Sequence, residues 1–338
     1  MIEFKIDKKY RSDLDLIGTQ KAIKLIKDNF ELSLAEHLNL LRVSAPIFVK
    51  SDSGLNDNLT GVEQPVSFMI NESAKKQVQA EIVHSLAKWK RYALGQYGFD
   101  IGSGLYTDMN AIRAHEIPDY THSVYVDQWD WEKVISPEDR NLDYLHQTVN
   151  SIFAAFVDME DILSNELSEY QPLLPDQVTF INSQELEDLY PGLDPEEREH
   201  KICQDKKFVF LEQIGHKLRS GKPHDTRSPD YDDWNLNGDI LVWSPVLGRG
   251  LELSSMGIRV DAQTLLQQLE LANETERMRY PYHQQLMSGD LPQTVGGGIG
   301  QSRICMYFLQ KAHIGEVQAS TWPKQMIDEL KTRGINLL

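Results

Sequence analysis

The sequence predicts an α+β fold in which antiparallel strands are mixed with helices. Two predicted strands, Asp239–Trp243 and Leu251–Val260, are joined by a short turn that contains glycine, which is typical of an antiparallel pair. Long segments with helical spacing lie before and after this pair, and the regular strand–helix alternation of a parallel sheet is missing. Because no linker divides the 338 residues, we expect residues 1–338 to form a single domain.

The first third of the chain predicts two helices around an extended segment and a loop. Apolar residues from Ile17 to Phe30 recur at helical spacing. Leu40–Val49 is predicted to be extended and, because Pro46 interrupts it, to lie at a sheet edge or a strand end. Ser51–Gly61 has the composition of a loop, and an amphipathic helix is predicted over about Ser85–Gly95.

The rest of the chain predicts one further strand and several helices. Ser123–Trp131 alternates and is rich in β-branched and aromatic residues, so it is predicted to be a strand. Helical spacing predicts helices over Leu142–Leu167, Ser183–Cys203 with an interruption near Pro191–Pro195, Ala262–Met287 and Ile304–Gln310.

The composition narrows the class of protein. The formal net charge is −17, from 34 Lys and Arg against 51 Asp and Glu. Since a duplex nucleic acid is normally bound by a basic face, we expect no nucleic-acid partner; small anionic substrates would need a local cluster of cations. The two cysteines, Cys203 and Cys305, exclude a disulfide framework. No secretory signal and no apolar run of about 20 residues is present, so we expect a soluble cytoplasmic protein with no membrane partner.

The glycine run at Gly296–Gly300 is the first candidate for a binding site. It matches neither the phosphate-binding P-loop nor the dinucleotide fingerprint. Glycine allows a flat ligand to approach the backbone closely, and Arg303, at the start of the next helix, could stack on a base or bind a phosphate. A turn followed by a surface arginine explains the same residues equally well.

Three further groups of residues are candidates for substrate binding, catalysis or metal binding. Lys88, Lys90 and Arg91 lie on one short predicted helix of an acidic protein, although a solvated lysine face is the commoner explanation. Gln128 and Asp130 share one face of a predicted strand. Asp239 and Glu252, on neighbouring predicted strands, could together bind Mg²⁺, although solvent exposure is the simpler expectation for each alone. The HExxH, GxSxG and CxxC motifs are absent.

Six longer strings resemble the bacterial ammonia-dependent asparagine synthetases, the A-type aspartate–ammonia ligases. In chain order they are HSLAKWKR (84–91), HSVYVDQWDWE (122–132), SPDYDDW (228–234), NGDILVW (237–243), ELSSMGIRVD (252–261) and PQTVGGGIGQSR (292–303). That family is similar to the catalytic domains of class II aminoacyl-tRNA synthetases. The resemblance therefore implies an antiparallel β-sheet flanked by helices and a homodimer with Pro46 at its interface.

The resemblance also implies a reaction. L-Aspartate, ATP and ammonia would give L-asparagine, AMP and pyrophosphate through a β-aspartyl-adenylate, with Mg²⁺ as the cofactor. Lys90 and Arg259 would bind the α-carboxylate of aspartate, and Asp57 and Asp130 its ammonium group. The residues implied to bind aspartate are Asp57, Lys90, Gln128, Asp130, Ser254 and Arg259.

The nucleotide site follows from the same resemblance. Arg113 would bind the α-phosphate, and Asp232 and Gln128 would lie at the reacting carbonyl, so these three are the implied catalytic residues. The family pattern Arg-x-Glu is replaced here by Arg113-Ala114-His115-Glu116. The residues implied to bind ATP or AMP are Arg113, Ser123, Asp239, Glu252 and Arg303, and Asp239 and Glu252 would also bind the metal ion.

Two other classes of function compete with this interpretation. The first is a synthetase-like enzyme that charges tRNA, which would need a basic appended module that this acidic chain does not display. The second is a regulatory relative that only binds amino acid and nucleotide, which would be expected to lack Arg113 or the metal-binding acids. Both sets of residues are present here.

Overall fold

An eight-stranded sheet forms the centre of the protein. The structure is a computed structural model and describes residues 10–59 and 63–338. The strands of these residues are, in chain order, β1 (Leu40–Arg42), β2 (Phe48–Lys50), β3 (Ser67–Ser73), β4 (Lys76–Ile82), β5 (Gly104–Ile112), β6 (Tyr125–Val134), β7 (Thr179–Asn182), β8 (Phe208–Glu212), β9 (Asp232–Ser244), β10 (Arg249–Arg259) and β11 (Thr294–Gly300).

The helices of the described residues surround this sheet. In chain order they are α1 (Leu16–Leu38), α2 (Ala87–Tyr97), α3 (Leu142–Glu166), α4 (Ser183–Leu189), α5 (Pro195–Lys206), α6 (Ala262–Ala272), α7 (Pro281–Ser288), α8 (Gln301–Phe308) and α9 (Lys324–Thr332). None of them is both long enough and apolar enough to cross a membrane.

The large sheet is mainly antiparallel. The large sheet has the order β1-β5-β6-β11-β10-β9-β8-β7, and a small sheet has the order β2-β4-β3. Neighbours in the large sheet are antiparallel except at its two edges, where β1 is parallel to β5 and β7 to β8. The α+β class and the antiparallel sheet flanked by helices are therefore confirmed.

The main core lies between one face of the large sheet and the long helices α1 and α3. Trp129 and Trp131, on alternate positions of β6, are both fully buried there. The ring of Phe30 from α1 stacks on Trp129 with 5.0 Å between centroids and meets Phe156 of α3 edge-on at 5.1 Å. Because side chains alternate along a strand, Gln128, Asp130 and Glu132 of β6 point to the other face, which is free for a binding site.

Several predicted elements agree with the structure in type and differ in length. α1 and α3 match their predictions; the Asp15 side chain accepts from the Gly18 N–H at the start of α1. In place of the interrupted helix predicted over Ser183–Cys203, the structure has two helices, α4 and α5. They are divided where the prolines predict an interruption. Residues 51–59 are irregular, as predicted, whereas Thr60 and Gly61 lie outside the described residues.

The prediction of one helix over Ala262–Met287 is wrong. α6 ends at Ala272 and is capped by Asn273. The backbone of Asn273 is left-handed, with φ of 58°, so it cannot continue a right-handed helix. A short 3₁₀ segment over Thr275–Arg279 follows, and Pro281 then begins α7. The apolar spacing continues through both helices, so spacing alone did not reveal the break.

The turn considered as an alternative at the glycine run is excluded, because Thr294–Gly300 forms strand β11 in the middle of the sheet. Glycine has low strand propensity, and only the pairing with β6 and β10 on both sides makes this segment a strand. Strands β3, β4, β5, β7 and β8 were not predicted.

Candidate active site

A cleft of about 370 Å³ opens on the face of the sheet opposite α1 and α3. Its lining comes from β6, β10 and β11, from α2 and α8, and from the segments around residues 57, 113 and 227. Eleven of the twelve residues predicted for the site line it: Asp57, Lys90, Arg113, Ser123, Gln128, Asp130, Asp232, Glu252, Ser254, Arg259 and Arg303. The twelfth, Asp239, is buried beside the cleft.

The glycines of β11 make room for the polar residues of β6. Gly300, Gly298 and Gly296 are paired with Gln128, Asp130 and Glu132, respectively. A Cβ atom at Gly298 would lie 2.7 Å from Gln128 Oε1, and one at Gly296 would overlap the Glu132 carboxylate. The absence of side chains at these three positions of β11 therefore leaves room for three polar side chains, of which Gln128 and Asp130 line the cleft.

Lys90 and Asp130 form a buried ion pair in this floor. Lys90 Nζ lies 2.6 Å from Asp130 Oδ1 and donates to the Gly297 carbonyl oxygen at 2.7 Å. Burial lowers the pKa of Lys90, although the Asp130 carboxylate opposes that shift. Asp130 Oδ2 is buried with no hydrogen-bond partner among the described residues, so it remains available to a cationic ligand group.

Arg259 is held between two buried carboxylates. Its Nε and Nη2 donate to Glu132, with Nη2 2.7 Å from Oε2, and its Nη1 donates to Asp232. Burial would raise the pKa of Glu132, but the Arg259 guanidinium beside it holds that pKa below its usual value. Burial prevails at Asp232, whose pKa is raised although Arg259 opposes the shift. The guanidinium is thus fixed in orientation on the cleft wall.

Helix α2 brings its cations inside the protein. Lys88, Lys90 and Arg91 are all at most 2% exposed, so the solvated lysine face is the wrong interpretation. Lys88 Nζ donates to Asp230 Oδ2 at 2.8 Å, and Arg91 donates to the carbonyl oxygens of Val260 and Pro292. Only Lys90 of the three lines the cleft, while the other two anchor α2 behind it.

Asp57 enters the cleft from the loop that follows β2. Its Oδ1 accepts from the Leu59 N–H and its Oδ2 from the Ser85 hydroxyl, both at 2.8 Å. The side chain is 4% exposed. A carboxylate that is oriented by two donors and lies in a cleft is suited to bind an ammonium group.

Arg113 and Glu116 lie at the end of β5, on the mouth of the cleft. Arg113 Nη2 donates to the His84 carbonyl oxygen at a long 3.4 Å, and its Nε has no hydrogen-bond partner among the described residues. The guanidinium is therefore weakly held and can bind an anion. Glu116 also lines the cleft, so a carboxylate is present there despite the extra residue between Arg113 and Glu116.

Asp239 and Glu252 share one face of the β9–β10 pair. Asp239 is paired with Ser255 and Glu252 with Leu241, which places the two carboxylates two positions apart on neighbouring strands. Arg303 Nη1 donates to the Glu252 carbonyl oxygen at 2.8 Å. Asp239 Oδ1 is buried without a hydrogen-bond partner among the described residues. Two carboxylates with a free buried oxygen fit Mg²⁺, which binds one or two carboxylates together with phosphate oxygens.

A fifth cation of the cleft, Arg227, was missed by the sequence analysis. It lines the cleft, and its guanidinium pairs with Asp225 and Asp239. Burial raises the pKa of Asp239 to about 8, and Glu252 and Asp225 add to that shift while Arg227 opposes it. The signal in the sequence was a cation directly before the SPDYDDW string of an acidic chain. Glu132 was also given no role, although it continues the polar face of Gln128 and Asp130.

Comparison with known proteins gives a consistent family. The sequence model of the AsnA family, aspartate-ammonia ligase, matches residues 17–334. An aspartate–ammonia ligase of Clostridium tetani is 56% identical over 333 residues, covering 98% of this chain and 97% of the relative. That of Fusobacterium nucleatum is 54% identical over 329 residues, covering 97% and 99%.

Solved structures show the same fold at low sequence identity. Asparaginyl-tRNA synthetase of Pyrococcus horikoshii, complexed with asparaginyl-adenylate, superposes with a TM-score of 0.64 at 15% identity, covering 90% of this chain and 70% of that one. Aspartyl-tRNA synthetase of Entamoeba histolytica gives 0.61 at 15% identity, covering 89% and 58%. The fold is that of class II aminoacyl-tRNA synthetases, and this chain belongs to the aspartate–ammonia ligase family.

Proposed function

We propose that this protein converts L-aspartate and ammonia to L-asparagine, with ATP cleaved to AMP and pyrophosphate through a β-aspartyl-adenylate. The observation that carries the proposal is the pairing of opposite charges in one cleft. Lys90, Arg259 and Arg113 can bind anionic groups, and Asp57 and Asp130 can bind a cationic one. An amino acid with two carboxylates, together with a nucleotide, needs this combination of sites.

Aspartate is proposed to bind with its α-groups on the floor of the cleft. Its α-carboxylate is bound by Lys90 and Arg259, which are already oriented by Asp130 and Glu132. Its ammonium group meets Asp57 and the unpaired Oδ2 of Asp130. Ser254, whose buried hydroxyl has no hydrogen-bond partner among the described residues, contributes a further polar contact. The β-carboxylate is then directed toward Gln128 and the nucleotide.

Activation of the β-carboxylate is the step that consumes ATP. Ammonia cannot displace oxide from a carboxylate. Attack of that carboxylate on the α-phosphorus therefore first displaces pyrophosphate and creates a mixed anhydride, from which AMP leaves in the next step. Arg113 stabilises the charge that develops on the α-phosphate, because two parallel N–H donors match two phosphate oxygens. Ser123 and Arg303 line the same cleft and bind the nucleotide. Catalysis here depends mainly on positioning and charge stabilisation.

Asp239 and Glu252 are the residues proposed to hold Mg²⁺. An ion held there would neutralise phosphate charge and so favour the departure of pyrophosphate. No cluster of three or more His, Cys, Asp or Glu residues capable of binding a metal occurs among residues 10–59 and 63–338. Phosphate and water oxygens therefore complete the coordination in this proposal.

Ammonia is proposed to attack the acyl carbon beside Asp232 and Gln128. Asp232 can bind NH₄⁺ and accept a proton, and its raised pKa makes it a stronger base than an ordinary carboxylate. Attack by the resulting NH₃ forms the amide bond and breaks the bond to AMP. The Gln128 amide donates toward the carbonyl oxygen on which charge develops.

We further propose a cytoplasmic homodimer. Apolar side chains are exposed around the small sheet: Ile47, Phe48, Phe68 and Met69 are between 37% and 58% exposed. Phe48 and Phe68 meet edge-on with 5.4 Å between ring centroids, so they form a continuous patch next to Pro46. Burial of such a patch against a second copy of the chain would stabilise a dimer.

The dimer is tested by replacing Phe68 with Asp. Placing a charge in the patch opposes burial, so we expect the 38.8 kDa chain to sediment as a dimer in the wild type and as a monomer in Phe68→Asp. Ile17→Asp, at a residue that is 65% exposed on α1, is the matched control and should remain dimeric. A monomeric wild type, or a dimeric Phe68→Asp, would disprove this interface.

The reaction is tested with purified protein and small molecules alone. L-Aspartate, ATP, Mg²⁺ and ammonium chloride should yield asparagine and AMP in equal amounts, and omission of any one should abolish both. Formation of asparagine without RNA excludes an obligatory tRNA acceptor. If neither asparagine nor AMP forms, the proposed function is wrong.

A further inference from the structure

The guanidinium of Arg227 is paired with Asp239, one of the two carboxylates proposed to hold Mg²⁺. Its Nη2 donates to Asp239 Oδ2 and its Nη1 to Asp225 Oδ2. Arg227 lines the cleft, whereas Asp239 does not, so the guanidinium covers the carboxylate on the cleft side. The cation that fills this position in the structure therefore belongs to the protein itself.

The segment that carries Arg227 is anchored on both sides of a short exposed stretch. Residues 213–231 connect β8 to β9 without a helix or a named strand. Asp230, three residues after Arg227, is fully buried and accepts from Lys88 and His283. On the other side, Asp225 and Thr226 are exposed, and His224 before them is buried and bonded to Glu199 at 2.8 Å. Asp230 and His224 thus hold the segment at the cleft, and the exposed residues next to Arg227 leave room for its long side chain to reorient.

We propose that Arg227 exchanges partners during the reaction: it neutralises Asp239 before the metal ion binds and moves to the β- and γ-phosphates when magnesium-bound ATP enters. A guanidinium and a divalent cation compete for the same carboxylate, so binding of the ion releases Arg227. The planar guanidinium, with its several N–H donors, then suits the phosphate oxygens nearby. The exchange avoids leaving Asp239 buried and uncompensated at any stage. This inference rests on the proposed function for the identity of the phosphate ligand.

Two binding measurements without turnover test the exchange. The first is Mn²⁺ alone, titrated by electron paramagnetic resonance; the second is inorganic pyrophosphate in the presence of Mg²⁺, titrated by calorimetry. Arg227→Gln should bind Mn²⁺ at least about tenfold more tightly than the wild type, because the competing charge pair is lost. It should bind pyrophosphate at least about tenfold more weakly, because a bidentate donor is lost.

Arg219→Gln is the matched control. Arg219 lies on the same connecting segment, pairs with the exposed Asp188 and does not line the cleft, so both affinities should equal those of the wild type. Asp239→Asn should lose Mn²⁺ binding, which shows that the titrated site is the intended one. If Arg227→Gln does not fold, Arg227→Lys replaces it, with both shifts at least about threefold since a single ammonium cannot form the two parallel bonds.

The outcomes are distinct. Unchanged Mn²⁺ or unchanged pyrophosphate affinity in the Arg227 variant overturns the exchange, because it requires both changes. If the wild type makes no asparagine but the Mn²⁺ affinity still rises in the variant, the competition at Asp239 stands and the proposed function fails. If the wild type makes asparagine and neither affinity changes, the proposed function stands and the exchange fails.

Discussion

At the scale of single residues, the site depends on carboxylates that orient cations before substrate arrives. Glu132 fixes Arg259 and Asp130 fixes Lys90, and all four are at most 2% exposed. Each of these charges is paired within the protein, so none of them is an unpaired buried ion. Arg113 differs from them, since among the described residues its guanidinium has only one long hydrogen bond.

Replacement of Arg113 should therefore affect chemistry more than stability. In Arg113→Ala we expect aspartate-dependent exchange between pyrophosphate and ATP to fall by about 100-fold or more, the size typical for loss of a donor to a developing oxyanion. Exchange is followed with labelled pyrophosphate. Arg219→Ala, at an exposed surface arginine, should leave the rate unchanged. An unaltered rate in Arg113→Ala would remove Arg113 from the catalytic role.

Glu132 is a positioning residue, and its replacement should separate binding from turnover. Glu132→Gln removes the charge that holds Arg259, so we expect the KM for aspartate to rise about tenfold or more with little change in the KM for ATP. Steady-state kinetics with each substrate varied gives both constants. Thr294→Val, which removes one 2.7 Å hydrogen bond to the same carboxylate, should have a smaller effect. A lowered Tm with an unchanged KM for aspartate would show a purely structural role.

At the scale of elements, the cleft exists because β11 has almost no side chains beside the polar face of β6. Glycines oppose Gln128, Asp130 and Glu132 in register, while Val295 and Ile299, on the other face of β11, are buried in the core. The same strand is thus a core element on one face and a binding surface on the other. That double role explains why Gly296, Gly298 and Gly300 occur within a central strand.

A methyl group on the cleft face of β11 should disturb the site before it disturbs the fold. In Gly298→Ala the added Cβ would lie 2.7 Å from Gln128 Oε1, so Gln128 must shift. We expect kcat/KM for aspartate to fall about tenfold or more, because small displacements of positioning groups are costly, with a change in Tm of only a few degrees. Enzyme assays and thermal unfolding measure the two effects.

The matched control is Gly250→Ala on β10. Its added Cβ would meet Cys203 Sγ at 3.4 Å, an ordinary van der Waals contact outside the cleft. Its activity should remain within about twofold of the wild type. Equal activity of Gly298→Ala and Gly250→Ala would contradict the role of the glycine face.

At the scale of the whole molecule, an acidic protein gathers its cations where anions must bind. Lys90, Arg113, Arg227, Arg259 and Arg303 all line one cleft of a chain whose net charge is −17. Their local field outweighs the distant negative charge, because screening in salt solution limits that charge to about 10 Å. The overall charge therefore does not prevent binding of ATP and aspartate.

The stability of the whole fold should decrease toward acid through buried histidines. His313 is 0% exposed, and burial lowers its pKa from 6.5 to about 4, although Asp119 opposes the shift. Between these two values the unfolded chain binds a proton that the folded chain excludes, so the free energy of unfolding falls as the pH falls. The loss at pH 5 relative to pH 7 should be on the order of 2 kcal/mol from His313 alone.

The variant His313→Asn isolates this contribution. Asn can still accept a hydrogen bond, as His313 Nδ1 accepts from the Gly315 N–H at 2.9 Å. Urea unfolding at pH 7 and pH 5 should show a smaller loss of stability in His313→Asn than in the wild type. The same loss in both proteins would show that His313 does not titrate in this way.

Local patterns in the sequence were sufficient for the long helices and for part of the site. Helical spacing predicts α1 and α3, and alternation predicts β6 with Gln128 and Asp130 on one face. The resemblance to a family supplied Arg113, Asp232 and Arg259, which no spacing rule connects. It did not supply Arg227, because its role depends on a contact between a loop and β9.

The sequence by itself determined the class of fold, the family and eleven of the residues that line the cleft. These depend on local spacing and on strings of residues that are read directly. The tertiary structure alone decided that Thr294–Gly300 is a strand, that α6 ends at Ala272, and that Asp239 is covered by Arg227. Such features arise from contacts between residues distant in sequence, whose free energy outweighs local propensity and leaves no local signal.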